Sequence, residues 1–355
     1  MAKTVVGLEI TEESVRAVEM STGRSPRVVA FGSVPLPEGA AKDSEVFDTD
    51  AVVLALRQLW SRAKITGRRV VLGIGSRRIL VRDYTTQAMR PDLLAQALPF
   101  QVQDLLPVPA DQAVLDFYPV SQVDDQVSGL LVAAVAETVD ELVTAVSRAK
   151  LTVDSVDLAP FALTRAVSAL AAPGETVAAL HLGDHTSYVV VMRDGVPRFV
   201  RIIPMEIATA AVRARSALAE SASDTEVDAE APRFEEAAEL VAVGAPVVRR
   251  RADLRGTVRP VSMTDAEIGV VVSRLGSTLR FYADRSADAP VNRVLVSGAG
   301  AVVPGIGDAL AASLPMPVEL VGLSTVTAST LAIPAGDLDV DLLTTGGLAG
   351  AGARA

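Results

Sequence analysis

The feature that most restricts what this chain can fold into is a pattern that occurs twice. Residues Val177 to Ile203, VAALHLGDHTSYVVVMRDGVPRFVRII, read as three short strands joined by two turns. Val177–Leu182 is an apolar run, Gly183–Thr186 a turn, Ser187–Met192 a second run, and Arg193-Asp194-Gly195 a tight turn into Arg198–Ile203. Asp-Gly between β-branched runs favours a hairpin, because glycine accepts the positive φ that such turns require. The N-terminal stretch Val5–Met20, VVGLEITEESVRAVEM, repeats the unit, with Leu8 on Leu180, Thr11 on Gly183, Ser14 on Thr186 and Met20 on Met192. Pro26–Val29 then matches Pro197–Val200 after one extra residue. One copy opening each half implies a duplicated fold whose two first turns face each other across a cleft. Their backbone N–H groups and the hydroxyls of Thr11, Ser14, Thr186 and Ser187 are placed to pinch the phosphates of one nucleotide. The competing reading is two unrelated meanders of similar composition.

The length of 355 residues exceeds what one small core holds and implies two domains with subdomains. Half the residues are apolar, yet no apolar run approaches the ~18 residues of a membrane span. The N-terminus, MAKTVVGLEI, lacks a signal-peptide hydrophobic region and enters a strand at once. With no cysteine there are no disulfides or thiolate metal sites, which fits a cytoplasmic protein. A net charge of −10 argues against nucleic acid or an anionic membrane as partner. His181 and His185 are the only histidines, so a histidine-based metal site is not expected.

Along the chain, Thr49–Lys64 has the spacing of an amphipathic helix, capped by Thr49 or Asp50, with Trp60 facing the core. Arg69–Gly75 and Ile79–Tyr84 read as strands. Pro91–Leu106 reads as a helix interrupted at Pro99. Strands Ala113–Val120 and Gly129–Val135 follow, then a helix Thr138–Leu151 with a Thr138/Glu141 capping box. Asp83–Lys150 thus forms a compact αβ insertion. A strand Val153–Leu158, a helix Pro160–Leu170 and a hinge Ala171–Gly174 lead to the second half. Glu206–Ala219 reads as a helix, the acidic stretch Glu220–Glu230 as a solvated loop, and Arg233–Val243 as a helix. The arginines between Arg249 and Arg259 read as a solvated face in preference to a phosphate or RNA site. Thr264–Ser286 carries the clearest helix signature, with a Thr264/Glu267 capping box and one apolar face. Gly346–Arg354, GGLAGAGAR, reads as a small-residue tail whose last residues fray.

Val294–Leu310, VLVSGAGAVVPGIGDAL, is a strand, glycine turn and helix. It lacks the third glycine of a dinucleotide fingerprint and the Gly-Lys-Ser/Thr of a P-loop. Two readings stay open: a turn of Gly298, Ala299 and Gly300 on which an adenosine lies, or a plain packing turn. The segments VGLEITEESVRAVEM, AALHLGDHTSYVVVMRDGVPRFVR and VLVSGAGAVVPG stand in the order of the two phosphate loops and adenosine loop of the actin-like superfamily. Within it the chain resembles the PilM family of type IV pilus assembly, with the cell-division protein FtsA as near relative. LLPVPADQAVLDFYPV resembles that family's PFPLDE…LDY segment, and LLVAAVAETVDELVTAVSRAKLTVDSVDLAPFALTRAV its following strand–helix–strand stretch. The likeness spans nearly the whole chain apart from about residues 221–261.

The resemblance implies an actin-like (ribonuclease H-like) α/β fold, two domains flanking a nucleotide cleft, with an FtsA-like inserted subdomain. Its parts would be 1–82 with 151–172, the insert 83–150, then 173–205 with 287–355, and a smaller subdomain 206–286. It implies ATP with Mg2+ as cofactor, held by Glu9, Ile10, Thr11, Ser14, His181, Gly183, Thr186, Ser187, Gly298, Ala299 and Gly300. Two departures weaken those loops: the family's D-I-G is Glu9-Ile10-Thr11 in the first and His181-Leu182-Gly183 in the second. Weak or absent hydrolysis is expected, with no catalytic residue and no metal ligand assigned. His181 is expected to pair with Glu9 across the cleft, in preference to acting as a base. The implied role is a cytoplasmic scaffold of type IV pilus or related secretion machinery, without membrane insertion of its own. It would sit at the inner face of the membrane by capturing the N-terminal peptide of a PilN-like inner-membrane protein, beside other pilus inner-membrane components. The groove would lie between the first subdomain and the insert, with Leu94, Leu98, Phe100, Val102, Leu105 and Leu106 as walls. The alternatives are an actin-like ATPase or sugar-kinase-type enzyme, and an FtsA-like division protein.

Overall fold

The repeated unit folds the same way both times. In the computed structural model, which describes residues 3–43, 45–216 and 263–353, β1 (Thr4–Ile10), β2 (Ser14–Ser21) and β3 (Val28–Pro35) form an antiparallel meander. A two-residue pair, β4 (Ala41–Lys42) and β5 (Glu45–Val46), precedes helix α1 (Thr49–Ala63). Strand β6 (Arg69–Ile74) then joins the first sheet parallel to β1. The stretch expected to be the insert holds β7 (Leu80–Gln87), which starts just before it, α2 (Pro91–Gln101), β8 (Ala113–Val123), β9 (Gln126–Val135) and α3 (Ala136–Arg148). β10 (Thr152–Leu158) closes the first sheet, and α4 (Ala159–Val167) leads into the second half.

There β11 (Thr176–Leu182), β12 (Thr186–Arg193) and β13 (Val196–Pro204) repeat the meander. Residues 210–216 are helical. Helix α5 (Asp265–Arg285), β14 (Arg293–Ser297), α6 (Ile306–Ser313), β15 (Val318–Leu320), the one-turn α7 (Leu323–Val326) and α8 (Asp337–Ala353) complete the chain. The sheet orders are β3-β2-β1-β6-β10 and β13-β12-β11-β14-β15, one topology used twice. Register agrees as well: Leu8 pairs Ala17 as Leu180 pairs Val189, and Ile10 pairs Val15 as Leu182 pairs Ser187. Even a β-bulge recurs, between Glu19 and Met20 and between Val191 and Met192. Shared β-propensity does not reproduce a bulge at matching positions, so the two meanders are copies.

The third strands correct one detail. Met20 pairs Val28 whereas Met192 pairs Pro197, so the first connection is three residues longer than the second, not one. The second turn is the tight one expected: Asp194 and Gly195 have φ of 52° and 75°.

Helix ends follow local chemistry with some differences. α1 is capped by Asp48, whose carboxylate accepts from Ala51 N at 2.9 Å, one residue before the expected cap. Trp60 is buried and donates to Gly67 O at 2.8 Å. α2 stops at Gln101, two residues past Pro99. α3 starts at Ala136, two residues ahead of the expected Thr138, and its cap makes no side-chain hydrogen bond. The Thr264/Glu267 capping box forms in full on α5. Residues 205–209 are not helical, so the segment expected from Glu206 begins at residue 210. The acidic stretch, the following expected helix and the arginine run between Arg249 and Arg259 lie outside the described residues. No helix among the described residues is long and apolar enough to cross a membrane.

The largest correction concerns the C-terminus. The expected tail is the end of α8, buried from Val340 through Ala349. Although it follows the second sheet in the chain, α8 lies against β1, β2, β6 and α4 of the first half. Glycines let it approach that closely: a Cβ on Gly7 would stand 2.1 Å from Thr345 O, and one on Gly347 2.0 Å from Ala162 O. Gly346 and Gly347 are therefore packing positions within a helix, while the last residues, 354 and 355, lie outside the described residues. Core clusters under each sheet and a third between the insert, α4 and the second sheet hold the parts together.

Candidate functional site

The turns after β1 and β11 meet. Glu9, Thr11, Arg16, His181, Gly183 and Asp184 all line one cavity of about 60 Å³ between the halves. Edge contributions come from Ile10, Thr186 and Tyr188. The duplication thus does what the sequence implied: it brings the two first turns to one crevice.

Arg16 dominates the crevice. It stands on β2, 3 % exposed, with its guanidinium spread over three elements. Nη2 donates to Asp184 Oδ2 at 2.9 Å in the second turn, and Nη1 to Asp341 Oδ1 at 2.7 Å on α8. Nε donates to Ser14 Oγ at 2.9 Å. Both carboxylates are buried. Burial raises the Asp341 carboxyl to about 7 despite the neighbouring Arg16. Asp184 also accepts the Thr209 hydroxyl at 2.6 Å. A second tie runs beside the first. His185 Nε2 meets Glu13 Oε1 at 2.7 Å, Nδ1 meets Glu206, and Arg215 donates to Glu13. The hydrogen bond to Glu13 leads in raising the His185 imidazole to about 9, so it is a cation at neutral pH.

Glu9 and His181 share the cavity but do not pair. Glu9 accepts a hydrogen bond from Thr345 Oγ1, and burial raises its carboxyl. His181 Nδ1 faces Thr344 Oγ1 at 3.2 Å and Ser297 Oγ at 3.3 Å, and its ring stacks on Tyr188 with centroids 5.4 Å apart. Burial first, then the charge of Arg16, pushes it down to about 3, so the imidazole is neutral. The expected Glu9–His181 pair is replaced because α8 supplies each of them a hydroxyl.

Thr11 closes its own turn. Its amide donates to Ser14 O at 2.9 Å, its hydroxyl donates to the same oxygen at 3.0 Å, and Ser14 N donates to Thr11 Oγ1 at 3.2 Å. Two of the turn's N–H groups are thereby occupied. Ser187 sits between the cavity-lining Thr186 and Tyr188, does not line the cavity itself, and its Oγ is the only buried side-chain polar atom among the described residues without a partner. Gly298 has φ 86°, donates to Val340 O at 3.0 Å, and would drive a Cβ to 2.4 Å from Leu182 O. Gly298, Ala299 and Gly300 are buried against the end of β11 and do not line the cavity.

In this arrangement the charged groups that face the crevice are engaged with one another, Arg16 with Asp184 and Asp341, and His185 with Glu13. Among the described residues no group of three His, Asp or Glu is placed to hold a metal ion.

On the insert, Leu98 and Val102 are buried with Leu131 as its own small core and have no surface to offer. Leu94 and Leu106 are half-buried beside them. Phe100 is 84 % exposed and Leu105 37 %, with Leu93 and Val114 also exposed on this part of the chain.

Residues missed at the sequence level are Arg16, Asp184, Glu13, His185 and the α8 trio Asp341, Thr344 and Thr345. A signal existed for Arg16, a charge inside the otherwise apolar VRAV of a central strand. None existed for α8, since its contribution depends on where the helix crosses.

A family model described as type IV pilus assembly protein PilM matches residues 7–202. Among solved structures, a chain of the PilM-PilN type IV pilus biogenesis complex superposes with a TM-score of 0.77 at 21 % identity, covering 99 % of each chain. The ethanolamine utilization protein EutJ of Carboxydothermus hydrogenoformans gives 0.47 at 14 % identity, over 98 % of this chain and 90 % of that one. The cytoplasmic domain of EpsL, from the type II secretion system of Vibrio cholerae, gives 0.39 at 14 % identity, over 57 % and 71 %. The fold is actin-like, duplicated, with an inserted subdomain.

Proposed function

Because the chain belongs to the family of the type IV pilus assembly protein PilM, we propose that it is an actin-like scaffold of a type IV pilus or related secretion machine. It holds the N-terminal cytoplasmic peptide of a PilN-like inner-membrane protein, and through that partner stands at the inner face of the membrane. The observation that carries the reading is the family match, which runs through both the first sheet and the insert. A chain solved as part of a PilM-PilN complex shares the fold from end to end. An extended peptide docks by pairing its backbone with strand edges and seating alternate side chains in apolar pockets. Of the walls suggested by sequence, Phe100 and Leu105 have exposed apolar surface for that purpose, flanked by half-buried Leu94 and Leu106.

The cleft favours scaffold over enzyme. A sugar kinase needs a carboxylate base poised at a substrate hydroxyl. Here Glu9 is hydrogen-bonded to Thr345 and Asp184 to Arg16 and Thr209. For ATP with Mg2+ to enter, Arg16 must first release Asp184 and Asp341; the scaffold role requires no such step. The test is calorimetric titration with a synthetic peptide of the partner's cytoplasmic N-terminus. A saturable isotherm in the micromolar range is expected; no heat at several hundred micromolar would overturn the reading.

A further inference from the structure

We infer that the two turns which in this fold flank a nucleotide's phosphates here clasp each other, holding the cleft shut on the chain's own Arg16 without nucleotide. Two independent ties cross the crevice. One runs from β2 to the second turn, Arg16 to Asp184 at 2.9 Å, and on to α8 through Asp341 at 2.7 Å. The other joins the turns directly, His185 to Glu13 at 2.7 Å. Each crosses the crevice between the two turns, and each engages a cation that lines it. The guanidinium already has a carboxylate on each of two nitrogens and a hydroxyl on the third. The imidazolium already faces Glu13 and Glu206.

The remaining surroundings repel an anion. Glu9, Glu12, Asp43 and Asp184 line the cavity with Arg16 and His185, while Arg77 pairs with Asp43 at 2.9 Å from outside it. A triphosphate entering beside buried carboxylates meets repulsion that the low local dielectric strengthens. The family's aspartate in the second loop is His181, neutral and held by Thr344 and Ser297. The chain has thus replaced an external phosphate–metal bridge between its halves with an internal arginine–carboxylate one. The halves behave as one rigid adaptor, and partner capture is independent of ATP.

The experiment takes the full chain. Equilibrium binding of ATP with Mg2+ is measured by calorimetry, and amide hydrogen exchange of residues 11–14 and 183–186 is followed with and without nucleotide. Saturation is not expected below about 1 mM, a binding free energy no stronger than roughly −4 kcal/mol, and exchange at both turns is expected to be unchanged by nucleotide. Saturable binding tighter than that, with new protection at the two turns, overturns the inference. Asp341→Asn, which weakens one side of the clasp, is expected to speed exchange at both turns together by at least tenfold; unchanged exchange also overturns it. Titrating the partner peptide with and without ATP separates this inference from the scaffold reading on which its last step rests. A peptide that never binds removes the scaffold and leaves the clasp; a peptide whose affinity changes severalfold with ATP removes the clasp.

Discussion

Replacing Arg16 by methionine tests the clasp most directly. Methionine keeps much of the aliphatic volume and removes the charge. Asp184 and Asp341 are then left buried, 5 % and 7 % exposed, without a cation between them. Removing one partner of a buried ion pair typically costs about 3–5 kcal/mol, because the surviving charge stays desolvated and uncompensated. Here two carboxylates survive. Partial relief comes from protonating Asp341, which burial already raises to about 7, and from the Thr209 hydroxyl that Asp184 retains. The expected loss at neutral pH is therefore about 3–5 kcal/mol and not twice that, a large share of the roughly 5–15 kcal/mol by which folded proteins are stable. The assay is urea denaturation followed by circular dichroism, with the slope compared between variants. The companion is the charge-free triple variant Arg16→Met, Asp184→Asn, Asp341→Leu. Buried triads replaced by apolar residues are often neutral or stabilising, so it should recover most of the loss. If Arg16→Met lost less than about 1 kcal/mol, in the range of an exposed pair, the clasp would not be holding the cleft.

Three further outcomes follow from the same structure. His185 has a pKa raised from 6.5 to about 9 by Glu13, Glu12 and Glu206, so its contribution is complete below pH 6.5 and lost as pH rises through 9. Discounted for its partial exposure, the loss between pH 7 and 9.5 should be about 1–2 kcal/mol by thermal melts, and His185→Gln should flatten that dependence. Gly7→Ala and Gly347→Ala would each set a Cβ about 2 Å from a backbone carbonyl, Thr345 O and Ala162 O. Each should cost about 1–3 kcal/mol or more by denaturation, and full stability in both would show that α8 does not pack as described. In the insert, Leu98→Ala should cost about 2–5 kcal/mol while Phe100→Ala stays within about 0.5 kcal/mol. Phe100→Ala should nonetheless weaken binding of the partner peptide, measured by calorimetry.

The sequence by itself determined the elements whose signal is local. The Asp194-Gly195 turn, the Thr264/Glu267 capping box on α5 and the apolar periods of β11 to β13 each depend on neighbours within a few residues. It also determined the duplication, because repetition is a property of the string. Local signals failed where a longer-range contact outweighed them. α3 starts ahead of its apparent capping box, and GGLAGAGA lies in a packed helix because Gly7 admits α8 to β1 and Gly347 admits it to α4. The pairing across the crevice was decided only by tertiary structure. Arg16, Asp184 and Asp341 lie 168 and 325 residues apart along the chain. Which carboxylate neutralises a buried guanidinium depends on where two sheets and a crossing helix come to rest. Only the packed chain sets those positions, and with them whether the space between the loops belongs to a ligand or to the protein itself.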